Sequence, residues 1–262
     1  MIQQKPILVS FIILSWISAG TPLEYALQFT TGYDSNVMRF SADEYLQAAL
    51  ASEVMGGADT FDSFVYKLGL SGKKSLWNSR KKDFIVSGNI HWADYRHHPQ
   101  RKYGSGGFDM QFKWGTYKNI KYSLRHLDRF YLRHYINRDI SNTFMESCAF
   151  TDHNQSITFT QKVGRREWFN LAAGFLQRYY DRPFTEFDLD ITYIRGKINK
   201  RFNNFGTVAF QFERGIAENI TFGKTAKASE LDRSYKTMEW YMPIRIQKRI
   251  PFLNEVGISA RA

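Results

Sequence analysis

Apolar side chains recur at every second position over most of this chain. Leu23, Tyr25, Leu27 and Phe29 alternate with Glu24, Ala26, Gln28 and Thr30. Phe64, Tyr66, Leu68 and Leu70 repeat the pattern, as do Phe84, Val86, Ile90 and Trp92. Phe108, Met110, Phe112 and Trp114 enclose Asp109, Gln111 and Lys113. Similar sets begin at Ile120, Ile157, Phe169, Phe187, Val208, Met238 and Val256. A period of two is the signature of a strand with two unlike faces. A helix with this sequence would scatter its apolar residues around every side. The pattern predicts an all-β, antiparallel chain of roughly eleven strands, each about nine to eleven residues long, which suits a tilted bilayer crossing.

The intervening segments predict the topology. Segments 33–60, 97–107, 133–155 and 216–233 read as long connections, and 117–119 and 164–167 as tight ones. Segment 72–81 reads as shorter and basic, and 195–204 and 247–254 as moderate. Long and short mostly alternate, as in barrels with long loops on one side of a membrane and short turns on the other. Segment 180–184, short but expected on the long side, is the exception.

The chain opens differently. Lys5 precedes the apolar run 7–17, and Ser18, Ala19 and Gly20 follow. The run is too short to span a bilayer comfortably, and the arrangement reads as a secretory signal peptide over 1–20. Residues 21–262 are then expected to form one domain, a transmembrane β-barrel in a bacterial outer membrane. A secreted β-sandwich is the structural competitor, since it too alternates. Strand length, large aromatic side chains and loop asymmetry favour the barrel. Bacterial barrels have an even number of strands, and the alternation is still running at Ala260. About twelve to fourteen strands are therefore expected in a complete barrel, with the sequence incomplete at its C-terminus.

Charge changes the picture further. The net charge is +11, which in a soluble protein suggests nucleic acid or an anionic surface. Export and alternation argue against nucleic acid. Outer-membrane lipid and lipopolysaccharide become the expected partners, because the basic residues gather in connections such as Lys73, Lys74, Arg80, Lys81, Arg165 and Arg166. Lys67, Lys113, Arg125, Glu186, Asp188 and Asp190 fall on the faces opposite the apolar ones and are expected to line a polar lumen. Their signs are mixed and predict no strong ion selectivity.

The first strand runs into Gly32, Tyr33, Asp34, Ser35, Asn36 and Val37. This ending resembles that of bacterial outer-membrane porins and of the barrel domains of surface lipoprotein assembly modifiers. Asp232, Arg233, Ser234 and Tyr235 ahead of a later strand are similar too. The resemblance implies location and architecture. The helical-repeat region of the assembly modifiers has no counterpart in this chain. In physical terms, Asp34, Ser35 and Asn36 favour side-chain-to-backbone bonds that end a strand. Gly32 permits an unusual backbone angle there, and Tyr33 is expected to sit at a membrane interface.

Other chemistry is sparse. Cys148 is the single cysteine, so no internal disulfide or cysteine zinc site can form, and it reads as a passive loop residue. His97 and His98 are adjacent on a solvated loop and make a poor chelate. Residues Gly104, Ser105, Gly106 and Gly107 read as a flexible tip, lacking the Lys and helix of a phosphate loop. Ser35 has no neighbouring His, and His91 and His126 lie in strands, so no catalytic set is assigned. No enzyme, metal or cofactor is expected. The expected function is passive diffusion of small solutes through a channel, or else a surface barrel whose loops 33–60 and 133–155 bind a partner or assist export.

Overall fold

The computed structural model describes residues 21–50, 52–203, 206–221, 232–250 and 253–261. The expected signal peptide, 1–20, lies outside the described residues. The fold is an antiparallel meander. Its strands are β1 (Glu24–Asp34), β2 (Ser63–Ser79), β3 (Lys82–Tyr95), β4 (Tyr103–Gly115), β5 (Lys118–Ile136), β6 (Met145–Lys162), β7 (Glu167–Tyr180), β8 (Leu189–Phe202), β9 (Gly206–Asn219), β10 (Tyr235–Ile250) and β11 (Leu253–Arg261). Each pairs with the next in the chain, and among the described residues no pairing joins β1 to β11. One helix, α1 (Ala42–Leu50), lies between β1 and β2. No described helix is long and apolar enough to cross a membrane.

Several strands are longer than alternation suggests: β5 has 19 residues, β6 has 18 and β2 has 17. Bulges explain the difference. The β5–β6 register shifts between Leu127 and Phe130 and again between Tyr131 and Arg133. Arg129, inside the first shift, has φ +44°. An inserted residue reverses which positions face each side, so 133–155 reads as a loop although only 137–144 is one. Cys148 consequently lies buried in β6, not in a loop. A shift between Ser75 and Trp77 does the same in β2, leaving only Arg80 and Lys81 as the turn. Gly104, Ser105, Gly106 and Gly107 are strand residues of β4 rather than a flexible tip.

With these corrections the two ends of the sheet separate cleanly. The strand ends joined by 80–81, by 116–117 and by 163–166 lie at one end, with the C-terminal end of β8 and the start of β11. The strand ends joined by 35–62, 96–102, 137–144 and 181–188 lie at the other, with the end of β9 and the start of β10. The short seventh connection disappears as an exception, because a 3-10 turn at Thr185–Phe187 extends it to residue 188.

The long-loop end carries the compact core of the molecule. Met38, Phe40, Ala48, Met55 and Ala58 of the first loop are buried against Tyr131 of β5 and Ala149 of β6. The loop therefore crosses from the β1–β2 hairpin to strands three places away. Its local geometry follows from sequence. The Asn36 N–H donates to Asp34 Oδ1 (3.1 Å), and the Asn36 amide bonds the Phe40 carbonyl and N–H (2.8 and 3.0 Å). The left-handed angle falls at Arg39 (φ +57°), and Gly32 is ordinary strand. The Ser41 N–H donates to Glu44 Oε2 and the Glu44 N–H to Ser41 Oγ, a reciprocal cap at the start of α1 (2.9 and 3.3 Å). Gly56 (φ +66°) could not carry a Cβ, which would lie 2.3 Å from the His134 ring.

Candidate functional site

Directly paired residues share a face of a sheet, so the register assigns two faces across the whole meander. One face is apolar and exposed. It carries Leu27, Leu70, Ile90, Leu124, Leu171 and Ile198, which are half or more exposed apart from Leu124. Toward the short turns, its rings form a ladder: Trp77 to Phe112 to Trp114 to Phe159 to Phe169, each centroid 5.9–6.1 Å from the next. Toward the long loops, the same face meets a polar row of direct cross-strand partners, His126, His153, Gln177, Asp190 and Glu218. His126 stacks on His153 with Nδ1 atoms 3.2 Å apart.

The other face is polar and cross-linked. Arg125 donates from Nη2 to both Asp109 carboxylate oxygens (2.8 and 2.7 Å). Arg178 donates from Nε and Nη2 to Asp152 (both 2.8 Å). Arg195 pairs with Glu213, and Lys73 with Glu24. Asn199 donates to Asn170, which donates to Thr160, tying β8 to β6 (2.9 and 2.8 Å).

Glycines make room for these side chains. A Cβ at Gly69 would lie 2.7 Å from His91 Nδ1, at Gly107 2.9 Å from Arg125 Cδ, at Gly174 2.2 Å from Tyr193 Cζ and at Gly215 2.7 Å from Thr237 Oγ1. Each pair is a direct cross-strand partnership. The larger residue leans back over the preceding strand, and Tyr193 reaches across β7 to donate to Asn154 of β6 (3.0 Å). On the apolar face, Gly72, Gly88, Gly104, Gly106 and Gly196 have no neighbour closer than 3.6 Å to that position. Side chains crowd on the concave side of a bent sheet and spread on the convex side. By this measure the polar face is the inner one over β2 to β10, although Gly32 of the edge strand β1 has open space on the same side.

The expected lumen residues divide. Lys67, Lys113 and Arg125 lie on the polar face by register. Glu186 and Asp188 belong to the 181–188 connection, because β8 starts at Leu189. Asp188 instead accepts the Tyr180 N–H (2.6 Å), while burial pushes its carboxyl pKa up. Asp190 falls on the apolar face, sharing parity with Ile194 and Ile198, at the end of that face. The alternation around Asp190 has the right period and the opposite sense: Leu189 and Tyr193 turn to the polar face. Sequence reasoning set Glu213 opposite Phe210 and Phe212 but did not single it out, and it missed Asp152 and Arg178. Parity from Phe175 and Tyr179 could have placed Arg178, whereas Asp152 fell in a segment read as a loop.

The long-loop rim has its own structure. Tyr103, Phe130, Phe150, Tyr180 and Phe187 form a second ring ladder, with centroids 5.1–5.7 Å apart. The Arg178 guanidinium lies 4.1 Å from the Phe150 centroid. A cavity of about 440 Å³ opens beside it, lined by Tyr135, Asn137, Arg138, Phe184, Phe187 and Arg233 among others. His98, expected to be solvated, is fully buried, and burial lowers its pKa. His97 lies 3.8 Å from Asp62. Asp62 also accepts the Tyr33 hydroxyl, which holds its carboxyl below the usual range. The described residues contain no cluster of three or more metal-ligating side chains.

No protein-family model matches this chain, and a comparison with curated proteins found no match.

Proposed function

We propose that the chain forms the wall of an outer-membrane β-barrel and serves as a channel for small hydrophilic solutes. The observation that carries this reading is the opposition of the two faces. An exposed apolar face bounded by aromatic rings at one end and a polar row at the other suits lipid. Eight residues of β7 separate Phe169 from Gln177. That is about 27 Å along the strand and, at a tilt of about 40°, about 20 Å in height, close to the apolar band of such barrels. A shallow apolar hollow on this face, lined by Ile120, Ile157, Leu171, Ala173, Ile194 and Phe212, suits acyl chains. The inner face, with its ion pairs and amides, suits water. Loop asymmetry orients the barrel with its short turns toward the periplasm and its long loops outward.

Conductance tests the reading. Refolded full-length chain should give stable open steps in a planar bilayer. A folded but silent protein would overturn the open-channel reading. A second reading, a non-conducting surface barrel whose loops hold a partner or assist export, is favoured by one observation: the first loop packs on β5 and β6 instead of standing free, beside the 440 Å³ rim cavity.

A further inference from the structure

The carboxylates of the polar face are already engaged. Asp109, Asp152 and Glu213 are each bonded to an arginine, and Asp83 accepts the Ser75 hydroxyl. Among the described residues, Lys67, Lys113, Lys121 and Lys162 form none of the ion pairs, although Lys113 sits opposite Asp83 and Lys121 acts on Asp109 from beyond contact. The three toward the short turns, Lys113, Lys121 and Lys162, lie on neighbouring strands β4, β5 and β6.

These lysines lead to a cavity at the short-turn mouth. It holds about 320 Å³ between the turns 116–117 and 163–166 and the end of β8 at Phe202 and Asn203, and Lys162, Arg165, Arg166 and Arg201 line it. The lining contains one carboxylate, Glu167, which is held by Lys200 (2.9 Å). The Arg201 N–H donates to the Arg166 carbonyl (2.9 Å), fixing the two basic residues beside each other. Trp168 forms one wall and stacks on Tyr117 with centroids 4.1 Å apart. Four cations around one small cavity repel one another, and an oxyanion with several acceptor oxygens would relieve that repulsion through charge-assisted bonds. Arginine forks suit tetrahedral and planar oxyanions alike.

We infer that this mouth is a capture site for dissolved oxyanions of the phosphate or carboxylate class, and that Lys162, Lys121 and Lys113 pass them along the inner face. The inference rests on the channel reading for passage, but not for capture. The mouth lies on the polar side: Lys162 and Trp168 are direct partners there, and Arg201 shares their face. This favours a solute over a lipid headgroup. A basic mouth with low-dielectric walls concentrates anions and raises their entry rate.

Two measurements test this on the full chain, with heat-dependent gel mobility as the check on folding. The first is the reversal potential in phosphatidylcholine bilayers under a tenfold potassium chloride gradient. Chloride selectivity is expected, with a shift toward potassium in the double variant Arg165→Glu/Arg166→Glu and in Lys121→Glu. Millimolar inorganic phosphate should reduce the chloride current of the parent several-fold and leave the double variant unaffected. The second is tryptophan fluorescence of the folded protein in neutral detergent, titrated with inorganic phosphate. A saturable change is expected, absent in the double variant and in Trp168→Phe. Current without anion preference overturns passage and leaves the channel standing. Silence of the folded protein overturns the channel, and the fluorescence arm then decides capture alone. No saturable change overturns capture. A phosphate effect abolished by phosphatidylglycerol would assign the site to lipid headgroups and overturn the solute reading.

Discussion

The two ends of this sheet are made in different ways. At the short-turn end, two to four residues reverse the chain, and their contacts among the described residues are few, chiefly the stack of Tyr117 on Trp168 and the Arg201 N–H on the Arg166 carbonyl. Arg80 and Tyr117 even adopt left-handed angles there (φ +50° and +55°) without a glycine. At the long-loop end, residues from the first loop, β5 and β6 assemble one buried cluster. Local rules therefore fix the first end, and tertiary packing fixes the second. Substitutions should divide accordingly.

The largest effect is expected at the cluster. Tyr131 is 2% exposed beneath the first loop, and Tyr131→Ala should destabilise the protein by about 3 kcal/mol or more, read by denaturant unfolding in detergent. An unchanged midpoint would mean that the loop does not rest on β5. Next comes Asp152→Ala, which strands the half-buried Arg178 guanidinium and should cost about 2 kcal/mol, measured the same way. If Asp152→Ala costs as much as Tyr131→Ala, wall and cap unfold as one unit. Ser41→Ala removes one half of the α1 cap and should cost about 1 kcal/mol, with proteolysis confined to the first loop. At the other end, Arg80→Asn should change stability by less than about 0.5 kcal/mol. A larger effect would show that the turn, and not the strands, sets that hairpin.

Acid sharpens the same contrast. The Ser41 N–H and then the Arg133 guanidinium hold the Glu44 carboxyl at about 2, below its usual 4.5. A depressed pKa stabilises the folded state above the unfolded value and loses that contribution as pH falls toward the folded one. First-loop protection from protease should therefore weaken between about pH 4.5 and 2, and less so in Glu44→Gln, which lacks the titrating group. Equal pH dependence in the two proteins would remove Glu44 from the cap.

The same division explains what could be read in the sequence. Strand positions, the antiparallel class and the grouping of long and short connections all follow from alternation, which is local. The placements of Lys67, Lys113 and Arg125 follow from it too. It fails where one residue is inserted. The bulges in β5 concealed strand on both sides of 137–144, and hid Cys148 and Tyr131 as buried positions. It also fails at Asp190, where the period is right but the starting face is ambiguous, since Leu189 and Ile191 are as apolar as Ile194. The Arg178–Asp152 and Tyr193–Asn154 bonds need register, which strand pairing sets and a single strand does not contain.

That register carries a further consequence through the four glycine pairs of the inner face. Gly174 opposite Tyr193 works only when the two meet. Sliding β8 by two residues in either direction would set Tyr193 against Ala172 or Leu176 and drive a ring into a side chain. Gly69 with His91, Gly107 with Arg125 and Gly215 with Thr237 impose the same condition on three other hairpins. Each works as a key that fits one notch. A hairpin paired out of register would therefore meet a clash within itself, whatever its other neighbours do.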